Sequence, residues 1–462
     1  MIDALKTGEL YIGDNLQVMR EDIADKCVDL IYLDPPFNSK KIYNCNFDDI
    51  GQVDGFEDTW NYLDHKEATD IEFKTIELDH DKLSRFLSFI KEGASKDMNH
   101  FAYLTFMSAR LKEMHRILKP TGSIYLHIDP TESHYLKVIM DLIFGEENFR
   151  NEIVWCYTGP SNIKTNFPKK HDIILRYSKT NNYYFNIDAV RIPYKELHTD
   201  KGKGAKLWGN NGKLQDEKTR QKYIDRGKLP EDFWVDIPSG GHISPKERLG
   251  YPTQKPEALL ERIISASCPP NGIVFDPFCG CGTSCAVAAK KGLLYIGIDR
   301  TQIAKDVILK RFKDAGVNEP DVTVRPPNAI EALRLAAVDK YASQREICKK
   351  LGLRWDGKKG ADKGIDGKIN YRNKDGSIIK IIASIKSGSS TPTQLRELIT
   401  VTNREHSDIG VFIIRDLPTR GMKEELTYTG EYKPGVPKIQ ILTIEDVFSG
   451  KKIKLPEGAI IE

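Results

Sequence analysis

No apolar run in this sequence approaches the roughly 18 residues that a membrane span requires, and the first residues, MIDALKTGEL, lack the apolar core of a secretion signal. A cytoplasmic protein with no membrane partner is therefore expected. Cysteine is sparse: 8 in 462 residues, with no C-x-x-C pair. That absence argues against paired-thiol zinc sites and dithiol redox chemistry. Cys279, Cys281 and Cys285 do lie close together, but within a glycine loop and the first turn of a helix, with no neighbouring His or Cys cluster, and no metal is assigned to them. A net charge of +3 is too small to argue for nucleic acid by itself, so any DNA-binding case must rest on local clustering. What remains is ordinary for a globular protein, with 29% charged and 40% hydrophobic residues in a chain long enough for two or three domains.

Two stretches stand out. In LIYLDPPF, residues 30–37, the apolar positions Val28, Leu30, Ile31 and Leu33 predict a buried parallel strand. Pro35 and Pro36 cannot donate ladder hydrogen bonds, so the strand must end at Asp34, leaving a carboxylate and the Phe37 ring where open α/β sheets place their ligands. The second stretch is IVFDPFCGCGTS, residues 273–284, another buried strand followed by a glycine loop and a helical pattern. Gly280 and Gly282 permit a tight strand-to-helix turn and close backbone approach to a ligand. A further apolar run, LLYIGID, ends at Asp299, roughly 20 residues beyond the glycines, where a dinucleotide fold places its ribose-binding acid. The loop lacks both a third glycine and a Lys-Ser/Thr pair, so neither an NAD site nor a P-loop fits.

With both stretches in view, residues 1–315 resemble the S-adenosylmethionine-dependent DNA amino-methyltransferases of the β-class. DPPF is similar to their catalytic motif and FDPFCGCGTS to their cofactor loop, in the β-class order. The resemblance implies a Rossmann-like α/β sheet, double-stranded DNA as partner and S-adenosyl-L-methionine as cofactor, and it leaves a homodimer open. It also implies Asp34, Pro35, Pro36 and Phe37 as catalytic residues. Asp276, Phe278, Gly280, Gly282 and Asp299 become cofactor residues, joined by Thr253 and Lys255 of YPTQKP and by Asp14, which capping the following helix would explain equally well.

Between these motifs, a helix over 101–119, a strand over 124–128, a helix over 134–144 and strands over 151–158 and 169–178 are predicted. Residues 38–100 have weak periodicity and predict loops and short helices near the mouth of the site, with Trp60 and Tyr62 either stacking on a base or anchoring the loop. His127 and Asp129 form a tempting acid/base pair for which structural roles are preferred. The resemblance makes His171 and Asp172 candidates for the wall of a base pocket. From about 183 to 250, basic residues interleave with aromatics where the family carries an inserted target-recognition region; Lys203, Lys206, Trp208, Lys213, Arg220 and Trp234 are the expected DNA contacts.

Residues 316–328, rich in Pro and charge, predict a linker. Residues 329–462 then predict a smaller α/β domain with a helix over 329–351, a hairpin around residues 373–376, a helix over 394–404 and a buried strand, IGVFIIR. This part resembles the restriction-endonuclease-like fold, in its Mrr-like branch. Asp366 matches the metal-binding acid and Lys386 the motif lysine, but Ser384 stands where an acid or Gln is usual. A serine hydroxyl is a poor Mg²⁺ ligand beside a carboxylate, so this nuclease site is expected to be degenerate, and Mg²⁺ is implied only if the domain cleaves.

The expected reaction is methyl transfer to the exocyclic N6 of a flipped adenine. Asp34 and the Pro35 carbonyl would accept from both N–H groups while Phe37 stacks on the base. The initial Asp of the motif favours adenine by family analogy. Cytosine-N4 methylation, a fused restriction-modification enzyme with an active nuclease, and a non-catalytic DNA-binding protein are the alternatives.

Overall fold

All six residues of β2 (Val28–Leu33) are buried, as a strand covered on both faces of a sheet requires. The computed structural model places it inside a sheet whose order is β11 (Asp321–Val324), β1 (Glu9–Ile12), β10 (Leu294–Asp299), β9 (Ile273–Asp276), β2, β5 (Leu118–Ile128), β7 (His171–Ser178), β6 (Phe149–Cys156) and β8 (Phe233–Trp234). The structure describes the chain apart from residues 1–7, 38–40, 48–50, 59, 61, 95–97, 160, 194–216, 240–242, 246, 252, 339, 356–363 and 462. It falls into two compact units, Met1–Thr59 with Met107–Arg325, and Trp60–Phe106 with Pro326–Glu462.

In the first unit, β11, β1, β10, β9, β2 and β5 run parallel, β7 is antiparallel to β5, and β6 is antiparallel to β7. From β9 the chain proceeds through β10 toward β11, whereas from β2 it proceeds to β5 on the other side. The strand order therefore reverses between β9 and β2, which are paired at Leu30↔Val274 and Ile31↔Phe275. A crevice outside the carboxyl ends of the strands opens at such a reversal. The expected α/β, Rossmann-like sheet is present, with α1 (Asn15–Glu21), α5 (Ser133–Phe144), α7 (Glu257–Ser267), α8 (Thr283–Lys290) and α9 (Gln302–Asp314) between its strands. Leu259, Leu260, Ile263 and Ile264 of α7 and Ala286, Val287 and Ala288 of α8 join Leu30, Tyr32 and Val274 in one apolar core.

Two expectations are corrected within this unit. The predicted linker 316–328 is partly sheet, since β11 pairs with β1 along Glu9↔Asp321 to Ile12↔Val324. Its valines complete an edge that Pro-rich flanks conceal in the sequence. Part of the 183–250 region is also core: β8 pairs with β6, and Trp234, Ile237 and Ile243 are buried. Residues 194–216, which carry half of the Lys and Arg between positions 195 and 228, lie outside the described residues.

In the second unit, β12 (Arg354–Trp355), β13 (Gly367–Arg372), β14 (Ile378–Lys386), β15 (Ile409–Ile414) and, after the hairpin of β16 (Glu431–Lys433) and β17 (Val436–Pro437), β18 (Ile439–Thr443) give the order β12-β13-β14-β15-β18. β13 and β14 form the predicted hairpin, and β14, β15 and β18 are parallel. The predicted helix over 329–351 is two helices, α10 (Ala329–Val338) and α11 (Lys340–Leu351). Residues 38–100 are corrected most. They contain a hairpin, β3 (Lys41–Phe47) with β4 (Gly51–Asp58), then the 18-residue helix α2 (Tyr62–Asp79), α3 (Asp81–Phe89) and the start of α4 (Met98–Ile117). α2 packs in the second unit: Ile71 lies against the apolar cluster of α10, α11 and the β-sheet, and Glu72 pairs with Arg334 at 2.5 Å, both side chains 2% exposed. Trp60 and Phe106 flank the Arg334 guanidinium at 5.9 and 4.9 Å.

Candidate active site

Asp34 follows β2 at the strand-order reversal. Its Oδ2 accepts from the Lys255 ammonium, and its Oδ1 is buried without a hydrogen-bond partner. A buried carboxylate oxygen left unpaired is costly, and such atoms in native sites commonly await a ligand's donor. Lys255 Nζ also lies 5.4 Å from the centre of the Phe37 ring. The same ring lies 6.0 Å from the His127 ring at an interplanar angle of 37°.

His127, at the end of β5, is fully buried and belongs to a four-membered polar chain. Tyr32 Oη is 2.9 Å from its Nδ1, Asp172 Oδ2 is 3.1 Å from its Nε2, and Tyr157 Oη donates to Asp172 Oδ1 at 3.0 Å. One proton arrangement satisfies every member: Tyr32 donates to Nδ1, Nε2–H donates to Asp172, and Tyr157 donates to the same carboxylate. Burial pushes the Tyr32 phenol well above its ordinary range, with Asp34, Asp276 and Asp172 adding to the effect, so it stays a donor. Burial alone would raise Asp172, but the hydrogen bond from His127, the Lys255 ammonium and Tyr157 outweigh it and hold the carboxyl below the usual range. Of the pairs raised by the sequence, His127 therefore works with Asp172. Asp129 instead caps its own turn, accepting from Thr131 N at 2.8 Å. Tyr32 and Tyr157 carried no signal beyond apolar strand positions.

Across the reversal, the glycine loop joins β9 to α8. Gly280 and Gly282 have φ of +51° and +71°, the left-handed region that excludes a Cβ at little cost only for glycine. A Cβ on Gly282 would also meet Ile308 Cγ1 at 2.8 Å. The loop is tied on both sides. Asp276 accepts from Phe278 N at 3.1 Å and from the Ser284 hydroxyl. Asp299, at the end of β10, accepts from Gly280 N at 3.1 Å and from Thr301 N and Oγ1 at 2.9 Å each. Burial pushes Asp276 up to about 7, against Ser284 and Phe278 and assisted by the charges of Asp34 and Asp299. Burial raises Asp299 as well. The loop thus presents a fixed backbone with two carboxyl groups behind it.

Lys255 links the two halves of the crevice, because its ammonium meets Asp34 while its carbonyl accepts from Thr283 Oγ1 at 3.4 Å on the first turn of α8. Its turn is held by Gln254, whose side chain accepts from Leu249 N at 2.9 Å and donates to the Glu247 carbonyl at 2.7 Å. Thr253 is exposed with φ +60°. Asp14 caps α1 by accepting from Gln17 N at 2.9 Å, and it pairs with buried Arg110 at 2.6 Å. Arg110 also donates to Asn15, whose amide reaches the Pro277 carbonyl at 2.8 Å, so this acid braces the glycine loop indirectly. Cys279, Cys281 and Cys285 are buried in the loop and α8; the hydrogen bond with Cys285 and burial raise the Cys279 thiol, and burial raises Cys281.

Of the expected DNA contacts, Lys203, Lys206, Trp208 and Lys213 lie outside the described residues, and Arg220 is on α6 (Glu217–Arg226) with no side chain described. Trp234 is corrected to a core residue. It is 6% exposed, donates through its indole to the Glu231 carbonyl at 2.9 Å and is covered by the Arg262 guanidinium at 5.0 Å. An aromatic in a basic stretch signals either role, and pairing of its strand with β6 decides it. In the second unit, Asp366 is buried and accepts from Ile385 N at 2.7 Å, Gln344 Nε2 at 3.0 Å and Ser384 Oγ at 3.5 Å; Lys386 ends the same strand as Ser384. Three neutral groups thus donate to this carboxylate, and Ser384 rather than an acid stands two residues before Lys386.

A family model described as DNA methylase matches residues 28–310. The chain is 26% identical over 352 residues to the type II methyltransferase M.BglII of Bacillus subtilis, covering 75% of each. It is 34% identical over 209 residues to the type II methyltransferase M.HpaI of Haemophilus parainfluenzae, covering 45% of this chain and 59% of that one. It is 28% identical over 289 residues to the DNA adenine methyltransferase YhdJ of Escherichia coli, covering 62% and 76%. Among solved structures, a DNA modification methylase of Thermus thermophilus complexed with S-adenosyl-L-methionine matches at 17% identity and TM-score 0.37, covering 69% of this chain and 98% of that one.

Proposed function

This chain belongs to the N6/N4 DNA methylase family, and from that premise we propose that it transfers a methyl group from S-adenosylmethionine to N6 of an adenine flipped out of double-stranded DNA. The observation that carries the proposal is the unpaired, buried Oδ1 of Asp34 at the strand-order reversal. An exocyclic amine delocalises its lone pair into the ring and attacks poorly. Asp34 Oδ1 accepts one N–H and the Pro35 carbonyl the other, which favours a more tetrahedral nitrogen with its lone pair directed along the line of attack. Phe37 stacks on the base, with Lys255 and His127 limiting the ring's movement. Lys255 keeps Oδ2 occupied, so that Oδ1 is the oxygen offered to the amine.

The residues of the glycine loop suit the cofactor. Gly280 and Gly282 hold the left-handed backbone of the turn, Asp299 retains acceptor capacity toward hydroxyls, and Phe278 and Asp276 shape the wall. When bound there, S-adenosylmethionine supplies an electrophilic sulfonium methyl. Asp34 at the head of the motif and the relative named as a DNA adenine methyltransferase favour adenine over cytosine N4. The surroundings of Asp366 favour an accessory, DNA-binding or scaffolding role for the second unit over Mg²⁺-dependent cleavage.

The test is mass spectrometry of nucleosides from unmethylated DNA incubated with the protein and S-adenosylmethionine. N6-methyladenine is expected with the wild type and none with Asp34→Ala, which retains cofactor binding by calorimetry. N4-methylcytosine would move the assignment to the other base, and product from Asp34→Ala would remove the carboxylate from the mechanism.

A further inference from the structure

The segment between β6 and β7 takes no part in the chemistry above. Residues 161–169, SNIKTNFPK, are exposed throughout, with Phe167 97% and Ile163 54% exposed. β6 runs in the same direction as β2 and β5, so this segment leaves the sheet at the edge that carries Asp34. Its base is closed by Tyr157 N donating to the Lys170 carbonyl at 3.0 Å. Tyr157 also donates to Asp172, which holds His127 against Phe37. The loop is thus rooted in the side-chain chain that borders the proposed base site.

Its composition selects the partner. Lys164, Lys169 and Lys170 lie between Tyr157 and His171, a span with no Asp or Glu. Leu78 and Tyr428 are similarly exposed, at 89% and 85%, but Leu78 sits between Glu77 and Asp79 and Tyr428 near Glu425 and Glu431. An apolar ring on a basic, acid-free loop is suited to a polyanion with an apolar interior, which describes stacked DNA. Pro168 restricts Phe167 to extended backbone, so the ring is presented with little conformational freedom left to lose.

We propose that residues 161–170 form a DNA wedge, in which Phe167 enters the base stack at the position vacated by the flipped nucleotide while Lys164 and Lys169 hold the flanking phosphates. This rests on the reading above that the substrate is a base extruded from duplex DNA. Extrusion costs a few kcal/mol of stacking and pairing, and a ring that fills the gap recovers part of the stacking and slows the base's return.

The experiment uses the full chain and a duplex carrying the motif found methylated in a host that expresses it. Single-turnover transfer of tritiated methyl is compared for wild type, Phe167→Ala and Phe167→Trp, on the intact duplex and on one with an abasic site opposite the target base. Phe167→Ala is expected to be about tenfold slower or more on the intact duplex and to recover most of that loss on the abasic one, where pairing is already broken. Phe167→Trp stays near wild type. Equal rates for Phe167→Ala and wild type on the intact duplex overturn the wedge, and so does an equal loss on both duplexes. A wild type that methylates no DNA overturns the proposed function and the wedge with it, a result distinct from either of those.

Discussion

At the scale of single residues, charge placement around the crevice sets two expectations. Lys255 is a cation against Asp34, with the Tyr32 hydroxyl and Asp276 as the other titratable groups facing that carboxylate, and Asp172 and His127 beyond Phe37. Removing the cation leaves Oδ2 without its partner, so the carboxylate is no longer held in one orientation toward the amine. In Lys255→Gln single-turnover methyl transfer is therefore expected to slow by about tenfold or more, with Lys255→Arg restoring part of the rate. An unchanged rate would reduce Lys255 to a structural contact. Asp276 gives a stability prediction with a definite sign. Its carboxyl lies at about 7 in the folded protein, chiefly through burial, against roughly 3.9 when unfolded. A raised carboxyl contributes fully below pH ~4, and that contribution is lost as pH rises to 7, on the order of 2–4 kcal/mol. Asp276→Asn keeps hydrogen-bonding partners in Phe278 N and Ser284 and should lose less stability between pH 5 and 8, measured by urea midpoints; parallel curves for the two proteins would contradict the assignment.

At the scale of elements, the strand-loop-helix unit of β9 and α8 depends on backbone that only glycine adopts readily. Gly282→Ala is expected to lower the unfolding free energy by on the order of 1–2 kcal/mol and to weaken S-adenosylmethionine binding, because it combines left-handed strain with a collision at Ile308. In an Ile308→Ala background, where Cγ1 is gone, Gly282→Ala should cost less of both; an equal cost would mean that strain alone accounts for the effect. This unit was legible in advance, since IVFD, two glycines and a following apolar helix each restrict local conformation. The same holds for β2, which prolines terminate. By contrast α2, YLDHKEATDIEFKTIELD, has only weak apolar periodicity, and nothing local says that Glu72 is buried along with Thr69, Phe73 and Ile76. That was decided by Arg334, 262 positions away, whose guanidinium needs a carboxylate once it is buried.

At the scale of the whole molecule, the two units are built from interleaved segments rather than from successive halves of the chain. Residues Trp60–Phe106 are inserted between the catalytic strand β2 and β5, yet their apolar contacts and the Glu72–Arg334 pair belong to the second unit. A fragment ending at residue 325 would expose that face, so it should be poorly soluble and protease-sensitive between residues 60 and 106. Deleting residues 60–106 together with everything beyond 325 should restore a soluble, cofactor-binding unit; a well-behaved 1–325 fragment, seen by limited proteolysis and gel filtration, would show the insertion to be independent. Local chemistry in the sequence determined the parallel sheet, the two motif-bearing strand ends and the glycine loop, because prolines, glycines and apolar runs act through the backbone that carries them. Only the tertiary structure decided that Lys255 meets Asp34, that His127 pairs with Asp172 instead of Asp129, that Trp234 is core, and that the insertion after β2 folds with the C-terminal segment. Each of these is a pairing between distant residues whose partners are chosen by which surfaces the fold brings together and removes from water.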